Sequence, residues 1–331
     1  MYELILRHAS HLNEKIAFAD ADGVLSYGDL ARRTALVAGN VRVERGSRVA
    51  LYLSSGVPAI VATLGVSRAA AVGVPLDTRI GDDDLRFRLL DSGAGLVVTD
   101  REHLAQVRRV AGVRVAVVDD LLTPTRTPPR DDLAPDSPAW LHYTSGTSGD
   151  PKGVVSTQAA WLRPAEHAYR GLLGMSGHDH LLWPLPLFHA FGHSMCVVGV
   201  LALGASAYVM DRFTPERAAE LLRRQSFTAL GGVPTVFAQL LDAGVPLPAR
   251  CLSAGAPLPQ ELRDRFRRTF DRDLHDGYGS TETSGKIAVD GVVLPGIETR
   301  FVDGEIQLRL PGADEWHAPG TSAGRRTAAW W

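Results

Sequence analysis

The sequence predicts an α/β fold in which stacked, mostly parallel sheets are covered by helices, with a small antiparallel β subdomain near the C-terminal end. Short apolar runs alternate with amphipathic stretches over residues 48–119 and again over residues 181–270. This alternation is typical of buried parallel strands that are joined by helices. From Lys286 onward the pattern changes to short strands joined by Asp-Gly pairs, which favour antiparallel hairpins.

The alternation is clearest in the first half of the chain. Each predicted strand is a short run rich in Val, Ala and Leu, which is typical of strands buried on both faces. The second helix begins with three aspartates and ends near Gly93, and both features are typical of helix ends. The predicted strands are 48–53, 71–76, 94–99 and 113–119, and the predicted helices are 58–70 and 82–93.

The alternation resumes after segment 123–138, which is rich in proline and charge and predicts a surface connector. Thr214 and Pro215 are residue types preferred at the start of a helix, as N-cap and first helical residue. In this half the predicted strands are 181–188, 205–210, 228–234 and 251–255, and the predicted helices are 214–226 and 261–270.

Changes of composition along the chain suggest a domain division. Residues 1–310 form one large domain whose last part contains two Asp-Gly turns, Asp290-Gly291 and Asp303-Gly304. We expect α/β subdomains at 1–138 and 139–285, a β subdomain at 286–310 and an irregular tail at 311–331.

Composition narrows the class of partner. With 331 residues, 45% of them hydrophobic, the chain is long enough for a sizeable buried core. A formal charge of −2 gives no electrostatic reason to expect nucleic acid or a membrane surface as a partner. The sequence has two cysteines, no apolar leader and no run of about 18 apolar residues, so we expect a cytoplasmic protein.

The segment YTSGTSGDPKG, residues 143–153, follows a predicted buried strand and contains one of the three lysines of the chain. Glycines let backbone N–H groups turn toward an anion, hydroxyls add donors, and Lys152 adds a mobile positive charge. Because ligands of α/β sheets bind where strands end, the segment predicts a polyphosphate site. The Walker pattern GxxxxGK[ST] is absent, and an ordinary solvated turn is the alternative.

A second motif, DGYGSTETSG, occupies residues 276–285. Tyr278 offers a flat face for a purine base. Thr281 and Glu282 offer a hydroxyl and a carboxylate, which suit Mg²⁺ beside phosphates. An ordinary turn is again the alternative, but the occurrence of both motifs in one chain favours a ligand site.

Together the two motifs resemble those of the adenylate-forming superfamily, which includes acyl-CoA synthetases, aryl-acid ligases, luciferases and peptide-synthetase adenylation domains. Such enzymes join a carboxylate to AMP with release of pyrophosphate, and many then pass the acyl group to a thiol. Further segments resemble blocks of this family in the family's order. They are SYGDLARR (26–33), GVSRAAAVGVPLD (65–77), LPLFHAFG (185–192), GVPTVF (232–237) and LSAGAPLP (252–259).

The resemblance implies roles for residues of both motifs. Lys152 and the hydroxyls would hold the β- and γ-phosphates of ATP, Thr281 would contact the α-phosphate and the carboxylate, and Glu282 with Thr147 would bind Mg²⁺. Tyr278 would pack on adenine. The implied nucleotide-binding residues are Thr144, Ser145, Gly146, Thr147, Ser148, Gly149, Lys152, Gly255, Ala256, Pro257, Gly277, Tyr278, Gly279, Ser280, Thr281 and Glu282.

Four histidines lie close together in the sequence: His178, His180, His189 and His193. His189 and His193 are four residues apart, so they are a candidate metal pair on a helix, and ordinary packed histidines are the alternative. The resemblance implies a third interpretation, in which His189 is catalytic and lies near the carboxylate that is activated. The implied acyl pocket consists of Phe188, His189, Phe191, Gly192, Val233, Pro234 and Gly279.

The resemblance also constrains the acid. Family members that load amino acids usually carry an aspartate just after the aromatic residue of this block, where the present chain reads FHAFGHS. An aryl or short acyl acid without an amino group is therefore predicted. The acceptor of the acyl group would be coenzyme A or the phosphopantetheine of a carrier protein.

The chain departs from the family's pattern after GEIQLRL, residues 304–310. The family continues to a Thr-Gly-Asp motif, a hinge and a small C-terminal domain with a catalytic lysine, none of which is visible in residues 311–331. We therefore expect that domain to be absent, either through a shifted reading frame or through trimming. Its absence predicts weaker nucleotide binding and slow or absent turnover, unless another protein supplies the domain in trans.

Three functions remain open at this point. The first is an acid–AMP ligase with impaired activity. The second is a catalytically silent module that binds a nucleotide or an acyl ligand. The third is an acyltransferase that accepts a pre-activated acyl donor.

Overall fold

Two sheets, one of nine strands and one of six, dominate the described part of the computed structural model, which covers residues 1–144, 151–302, 305–316 and 318. Neighbouring strands in the middle of both sheets are parallel. A separate two-stranded antiparallel sheet lies near the C-terminal end. The predicted α/β class is therefore confirmed.

The six-stranded sheet contains the strands predicted in the first half of the chain. Numbered along the chain, its strands in spatial order are β6 (Arg114–Val117), β5 (Leu96–Thr99), β3 (Arg48–Tyr52), β4 (Val72–Pro75), β7 (Pro138–Thr144) and β8 (Lys152–Thr157). From β6 to β7 the neighbours are parallel, whereas β7 and β8 pair antiparallel. Strand β8 is the last in this order, so it is an edge strand of the described sheet.

The nine-stranded sheet is parallel in its middle and antiparallel at both ends. Its strands in spatial order are β15 (Val292–Val293), β14 (Gly285–Val289), β13 (His275–Ser280), β12 (Arg250–Ala254), β11 (Ala229–Gly232), β9 (His180–Trp183), β10 (Ser206–Val209), β1 (Ile16–Ala19) and β2 (Val24–Ser26). The separate sheet pairs β16 (Glu298–Val302) with β17 (Glu305–Arg309).

Helices lie between the sheets and on their outer faces. They are α1 (Tyr2–His11), α2 (Tyr27–Asn40), α3 (Val57–Arg68), α4 (Asp82–Ser92), α5 (Leu104–Val110), α6 (Gln158–Pro164), α7 (Ala190–Gly192), α8 (Val200–Leu203), α9 (Pro215–Arg224), α10 (Pro234–Asp242) and α11 (Gln260–Phe270). A 3₁₀ turn covers Val118–Leu122, and π-helical segments Ala165–Leu172 and His193–Gly199 continue α6 and α7. The predicted helix ends are confirmed: Thr214 caps α9, and Gly93 ends α4 in a left-handed conformation.

Alternating side chains on the strands divide the core into layers, because successive residues of a strand point to opposite faces. In β3, Val49 and Leu51 pack in a central cluster between the sheets. Ala50 and Tyr52 pack instead with α4 and α5 on the outer face. Strand β9 divides its residues in the same way between the central cluster and the outer helices α9 to α11. Helix α3 is buried on nearly all sides, as a helix of the central layer must be.

Strand membership crosses the sequence divisions at 138 and 285. Strands β7 and β8 follow the connector but join the six-stranded sheet, and β1 and β2 come from the N-terminal part but join the nine-stranded sheet. Strands β14 and β15 continue the nine-stranded sheet, so β16 and β17 alone form a separate sheet in the described part. A change of composition marks a connector at the protein surface. It does not show which sheet the next strand joins, because that depends on pairing with strands that are distant in the sequence.

The predicted strand 181–188 is shorter in the structure and ends at Trp183. Pro184 and Pro186 follow, and a proline has no backbone N–H to donate to a neighbouring strand. The apolar run therefore leaves the sheet and forms the approach to the candidate site.

A buried ion pair fixes α3 to the connector that follows β6. The guanidinium of Arg68, which is 3% exposed, donates to both carboxylate oxygens of Asp131 at 2.8 and 2.7 Å. It also donates to the carbonyl of Ala31 at 2.7 Å. Removing one partner of such a pair leaves a buried charge uncompensated.

We expect Asp131→Asn to lower the free energy of unfolding by about 3 kcal/mol, because it removes the charge but keeps the side-chain size and tolerates the φ of 50° at this position. Urea denaturation at neutral pH measures the change. Asp132→Asn is the matched control: Asp132 pairs with Arg45 at the surface, and its loss should change stability by less than about 1 kcal/mol. Equal losses in the two variants would contradict the assignment.

Candidate functional site

The carboxyl ends of three neighbouring strands bring most of the predicted nucleotide-binding residues to one edge of the nine-stranded sheet. Strands β11, β12 and β13 are parallel neighbours, with Gly232 opposite Ser253 and Ala254 opposite Gly277. The segments that follow these strands therefore lie side by side. They contain Val233 and Pro234, then Gly255, Ala256 and Pro257, then Thr281 and Glu282.

The turn after β13 is held by the side chain of Thr283. Its hydroxyl accepts a hydrogen bond from the backbone N–H of Ser280 at 3.0 Å and lies 2.9 Å from the carbonyl oxygen of Gly285. Thr283 is buried, whereas Thr281 is half-buried and Glu282 is exposed. Thr283 thus holds the turn from inside, while the side chains of Thr281 and Glu282 are at its outer side.

Close backbone approach explains two glycines of this motif. A Cβ at Gly279 would lie 2.0 Å from the carbonyl oxygen of Gly285, and a Cβ at Gly285 would lie 2.5 Å from the hydroxyl of Ser194. Gly285 also has a φ of +110°, which other residues rarely adopt. Strand β14 can therefore lie directly against the helical layer between the sheets. Tyr278, on the same strand as Gly279, is half-buried against the central core.

The predicted phosphate segment begins and ends in a hairpin. Thr144, the last residue of β7, lies opposite Lys152, the first residue of β8. Lys152 is exposed, and Thr144 is half-buried. The predicted residues between them lie outside the described part of the chain: Ser145, Gly146, Thr147, Ser148 and Gly149.

Helix α6 connects the two motifs. It follows directly from β8, which carries Lys152, and it packs against β14, which follows Glu282. Pro164 at the end of α6 lies 3.3 Å from the position of a Cβ at Gly285. The hairpin of one sheet and the turn of the other are therefore attached to the same helix.

A second link joins the sheets beside His189. The backbone N–H of Leu187 donates to the hydroxyl of Ser55, which follows β3, at 3.0 Å. The guanidinium of Arg79, which follows β4, lies 5.8 Å from the ring centre of Phe188. The segment before His189 is thus held against the strand ends of the six-stranded sheet.

His189 forms the N-cap of α7 and carries a neutral imidazole at neutral pH. Although the residue is exposed at its outer side, desolvation by the surrounding protein lowers its pKa, and Arg79 lowers it further against the opposing effect of Asp77. Asp77 and Arg79 form a two-fold hydrogen-bonded pair at 2.9 Å. A neutral imidazole can donate one hydrogen bond and accept another.

The remaining predicted pocket residues surround this helix start. Phe191 packs edge-on against Trp183 with ring centres 4.9 Å apart. A Cβ at Gly192 would lie 2.5 Å from the carbonyl oxygen of Pro186, so this position also requires a glycine. Val233 lies 3.5 Å from the position of a Cβ at Gly255, which brings the acyl and nucleotide residues of the sheet edge together.

His193 is buried among aromatic side chains. It lies in a buried aromatic cluster, with ring centres 4.5 Å from Trp140, 4.7 Å from Trp161 and 4.8 Å from His142. Among the described residues, no group of three or more histidine, cysteine or acidic side chains is arranged to hold a metal ion. The packing of His193 matches the alternative of an ordinary packed histidine.

Burial keeps both clustered histidines neutral. Desolvation lowers the pKa of His142 to about 3 and the pKa of His193 well below its ordinary value. In the described part of the chain, both ring nitrogens of His142 lack a hydrogen-bond partner. His142 belongs to β7, so this neutral pair packs at the base of the hairpin that carries Lys152.

Sequence reasoning assigned no role to Asp77, Arg79, Thr283 or the His142–His193 pair. Asp77 lies within a quoted family block, GVSRAAAVGVPLD, and its place after a predicted strand was the available signal. Thr283 has no distinguishing signal beside the other hydroxyls of its motif. The histidine pair joins positions 51 residues apart, and such a contact cannot be read from local spacing.

Two stacked α/β sheets, with a hydroxyl- and lysine-bearing hairpin at the end of one and a Tyr-Gly-Ser-Thr-Glu turn at the end of the other, define the class of the nucleotide-binding domain of an adenylate-forming ligase. A family model described as "AMP-binding enzyme" matches residues 5–315. The chain belongs to this family.

Relatives and solved structures agree with this membership. The chain is 35% identical to the naringenin synthase of Pestalotiopsis fici, over 92% of this chain and 13% of that protein. It is 32% identical to the 4-hydroxybenzoate–CoA/benzoate–CoA ligase of Rhodopseudomonas palustris, over 81% of this chain and 54% of that protein. An o-succinylbenzoate CoA synthetase of Bacillus subtilis, solved with its acyl-adenylate intermediate, has a TM-score of 0.85 and 25% identity over 95% of this chain and 70% of that chain.

The chain spans about half the length of that benzoate ligase, and about an eighth of the naringenin synthase.

No helix in the described ranges is long and apolar enough to cross a membrane. The two cysteines, Cys196 and Cys251, are free and buried, and burial raises the pKa of both thiols.

The buried histidines predict acid sensitivity. In the unfolded chain His142 takes up a proton near pH 6.5, whereas in the folded protein it does so only near pH 3. The unfolded chain therefore binds more protons between these values, and the free energy of unfolding falls as the pH falls, by about 1.4 kcal/mol per pH unit for this histidine. Above pH 6.5 its contribution is complete.

We expect His142→Phe to reduce the slope of unfolding free energy against pH by about 1.4 kcal/mol per unit between pH 6 and pH 4, in urea denaturation series. His178→Gln, at an exposed position, is the control and should keep the parent slope. An unchanged slope in His142→Phe would show that this imidazole accepts protons freely in the folded state.

Proposed function

We propose that this chain binds ATP and a carboxylic acid and joins them as an acyl-AMP. A carboxylate oxygen attacks the α-phosphorus, the bond between the α- and β-phosphates breaks, and pyrophosphate leaves. The observation that carries the proposal is the attachment of the Lys152 hairpin and the Thr281–Glu282 turn to one helix, α6. Such a displacement requires positioning and charge neutralisation more than covalent chemistry from the protein.

The proposed roles follow from what each side chain offers. The ammonium of Lys152 and the hydroxyl of Thr144 bind the β- and γ-phosphates. Thr281 donates to the α-phosphate and the acid, and Tyr278 packs on adenine. His189, whose pKa is lowered by desolvation, binds the acid's carboxyl group. Ser145, Gly146, Thr147, Ser148 and Gly149, which lie outside the described part of the chain, are the other proposed phosphate-binding residues.

Glu282 suits a magnesium ion. Its carboxylate is exposed on a rigid turn, and Mg²⁺ in nucleotide sites is commonly held by one or two carboxylates together with substrate phosphates. Bound there, the ion would neutralise charge on the phosphate oxygens. Thr147 is the proposed second protein ligand.

The acid is proposed to be an aryl or short acyl acid without an amino group. Two aromatic residues, Phe188 and Phe191, flank His189 in the sequence. The residues that follow Phe188 are His, Ala and Phe, so the aspartate typical of members that load amino acids is not found there. The relatives named as benzoate and 4-hydroxybenzoate ligases support an aryl acid.

Transfer of the acyl group to a thiol is the proposed second step. The relatives named as CoA ligases support coenzyme A as the acceptor, and a carrier-protein phosphopantetheine is the alternative. The region that the longer relatives have beyond this chain's match would contribute to that step, in the same polypeptide or in trans. Two buried free thiols agree with a reducing, cytoplasmic setting.

Exchange of labelled pyrophosphate into ATP, measured with a panel of benzoic, cinnamic and short aliphatic acids, tests acyl-AMP formation. We expect acid-dependent exchange, and we expect Lys152→Ala to lower it at least about tenfold, since it removes one charge-assisted contact to the phosphates. Binding of AMP, measured by calorimetry, reports the nucleotide site independently of turnover.

Arg223→Ala is the control, because Arg223 is an exposed cation on the outer helix α9. It should leave exchange at the parent level. AMP binding without exchange for any acid would favour a silent nucleotide-binding module. Thioester transfer from a supplied acyl donor without ATP would favour an acyltransferase instead.

A further inference from the structure

A buried lysine lies beside the proposed acyl pocket and has no role in the chemistry described above. Lys286 belongs to β14 and is 4% exposed. Its side chain lies across the neighbouring strand β13, where a Cβ at Gly277 would be 2.8 Å from the lysine Cε and 3.0 Å from its Cδ. The glycine at 277 therefore makes room for the lysine stem.

The ammonium of Lys286 ends on the face of Phe191. Its Nζ lies 3.8 Å from the ring centre, well within the range of a cation–π contact. Phe191 is two residues after His189 and belongs to the proposed acyl pocket, and Gly277 and Gly279 border the opposite side. The lysine thus lies between the aromatic wall and the glycine-containing strand.

The aromatic side chain under this ammonium belongs to an apolar group of residues. Phe191 packs on Trp183, and a Cβ at Gly231 would lie 2.4 Å from Trp183 and 3.1 Å from the sulfur of Met195. An apolar ligand packed against an ammonium removes water from it without replacing the hydrogen bonds. A ligand oxygen replaces them, and because an ammonium has three N–H donors it can serve a protein partner and a ligand together.

We propose that Lys286 is a specificity-determining residue of the acyl pocket and donates a hydrogen bond to an oxygen on the ring of the acid, away from its carboxyl group. A phenolic hydroxyl and a second carboxylate share this chemistry. The inference rests on the proposed function, since it assigns the substrate class of the same site.

The test uses matched ligands that differ in the acceptor oxygen. Non-hydrolysable acyl-AMP analogues carrying 3- or 4-hydroxybenzoyl, 3- or 4-methylbenzoyl, 4-carboxybenzoyl and benzoyl groups are titrated calorimetrically, with AMP alone as the reference. Hydroxyl and methyl groups have similar size, so their affinity ratio isolates the hydrogen bond. We expect at least one hydroxyl or carboxyl analogue to bind about 10- to 100-fold more tightly than its methyl counterpart.

Lys286→Met keeps the length of the side chain and removes its charge and donors, so it should bring that ratio to about one. Lys286→Arg, which retains donors, should keep part of the preference. Lys15→Met is the control for the same substitution elsewhere, because Lys15 donates to the carbonyls of Gly177 and Gly204, and its ratio should equal that of the parent.

The outcomes are distinguishable. The inference is overturned, and the proposed function stands, if the parent protein binds AMP but binds oxygen-bearing and methyl analogues with equal affinity. This comparison uses the parent protein alone, so it does not depend on the folding of a variant. A preference that persists in Lys286→Met also overturns it. Failure of AMP and of every analogue to bind overturns the proposed function and the inference with it. Preference for the carboxyl rather than the hydroxyl analogues identifies a dicarboxylic acid as the substrate class.

Discussion

Gly279 and Gly285 determine how closely the turn after β13 approaches the helices between the sheets. Any side chain at either position would collide with backbone or with Ser194. Because both positions lack one, β14 packs against α6, and α6 is the direct continuation of the hairpin that carries Lys152. The relation between the two candidate loops thus depends on a steric constraint in one turn. The Thr283 hydroxyl holds that turn in place by accepting from the N–H of Ser280 and donating to the carbonyl of Gly285.

Three imidazoles near the site are held in their neutral form. The imidazoles of His142 and His193 are neutral among tryptophans, and His189 at the rim is neutral as well. A medium of this kind has a low effective dielectric, so the charges that remain at the edge, such as the Asp77–Arg79 pair, act on one another and on a ligand more strongly than they would in water. Neutral imidazoles and aromatic rings beside a few charged groups suit a ligand that is apolar over part of its length and anionic at one end.

Features set by short-range patterns were predictable from sequence. The parallel strands, the cap at Thr214 and the glycine end of α4 each depend on residues within a few positions of one another. The register that brings Val233, Gly255 and Thr281 to one sheet edge was expected only through the general rule that parallel strand ends coincide. Three features depend on contacts between segments that are distant in the sequence, so no local pattern could reveal them. They are the pairing of β1 and β2 with the nine-stranded sheet, the His142–His193 pair and the contact of Lys286 with Phe191.

Strand β8 lies at the border of its sheet with its outer backbone groups unpaired by any described strand, and Val155 on it is 49% exposed. An exposed edge strand can pair with strands of other molecules. Natural proteins often place lysines on such edges, because the charge disfavours this pairing. Lys152 stands at the beginning of this strand. Its ammonium, proposed above to contact phosphate, is thus placed where a charge also disfavours strand addition at this edge.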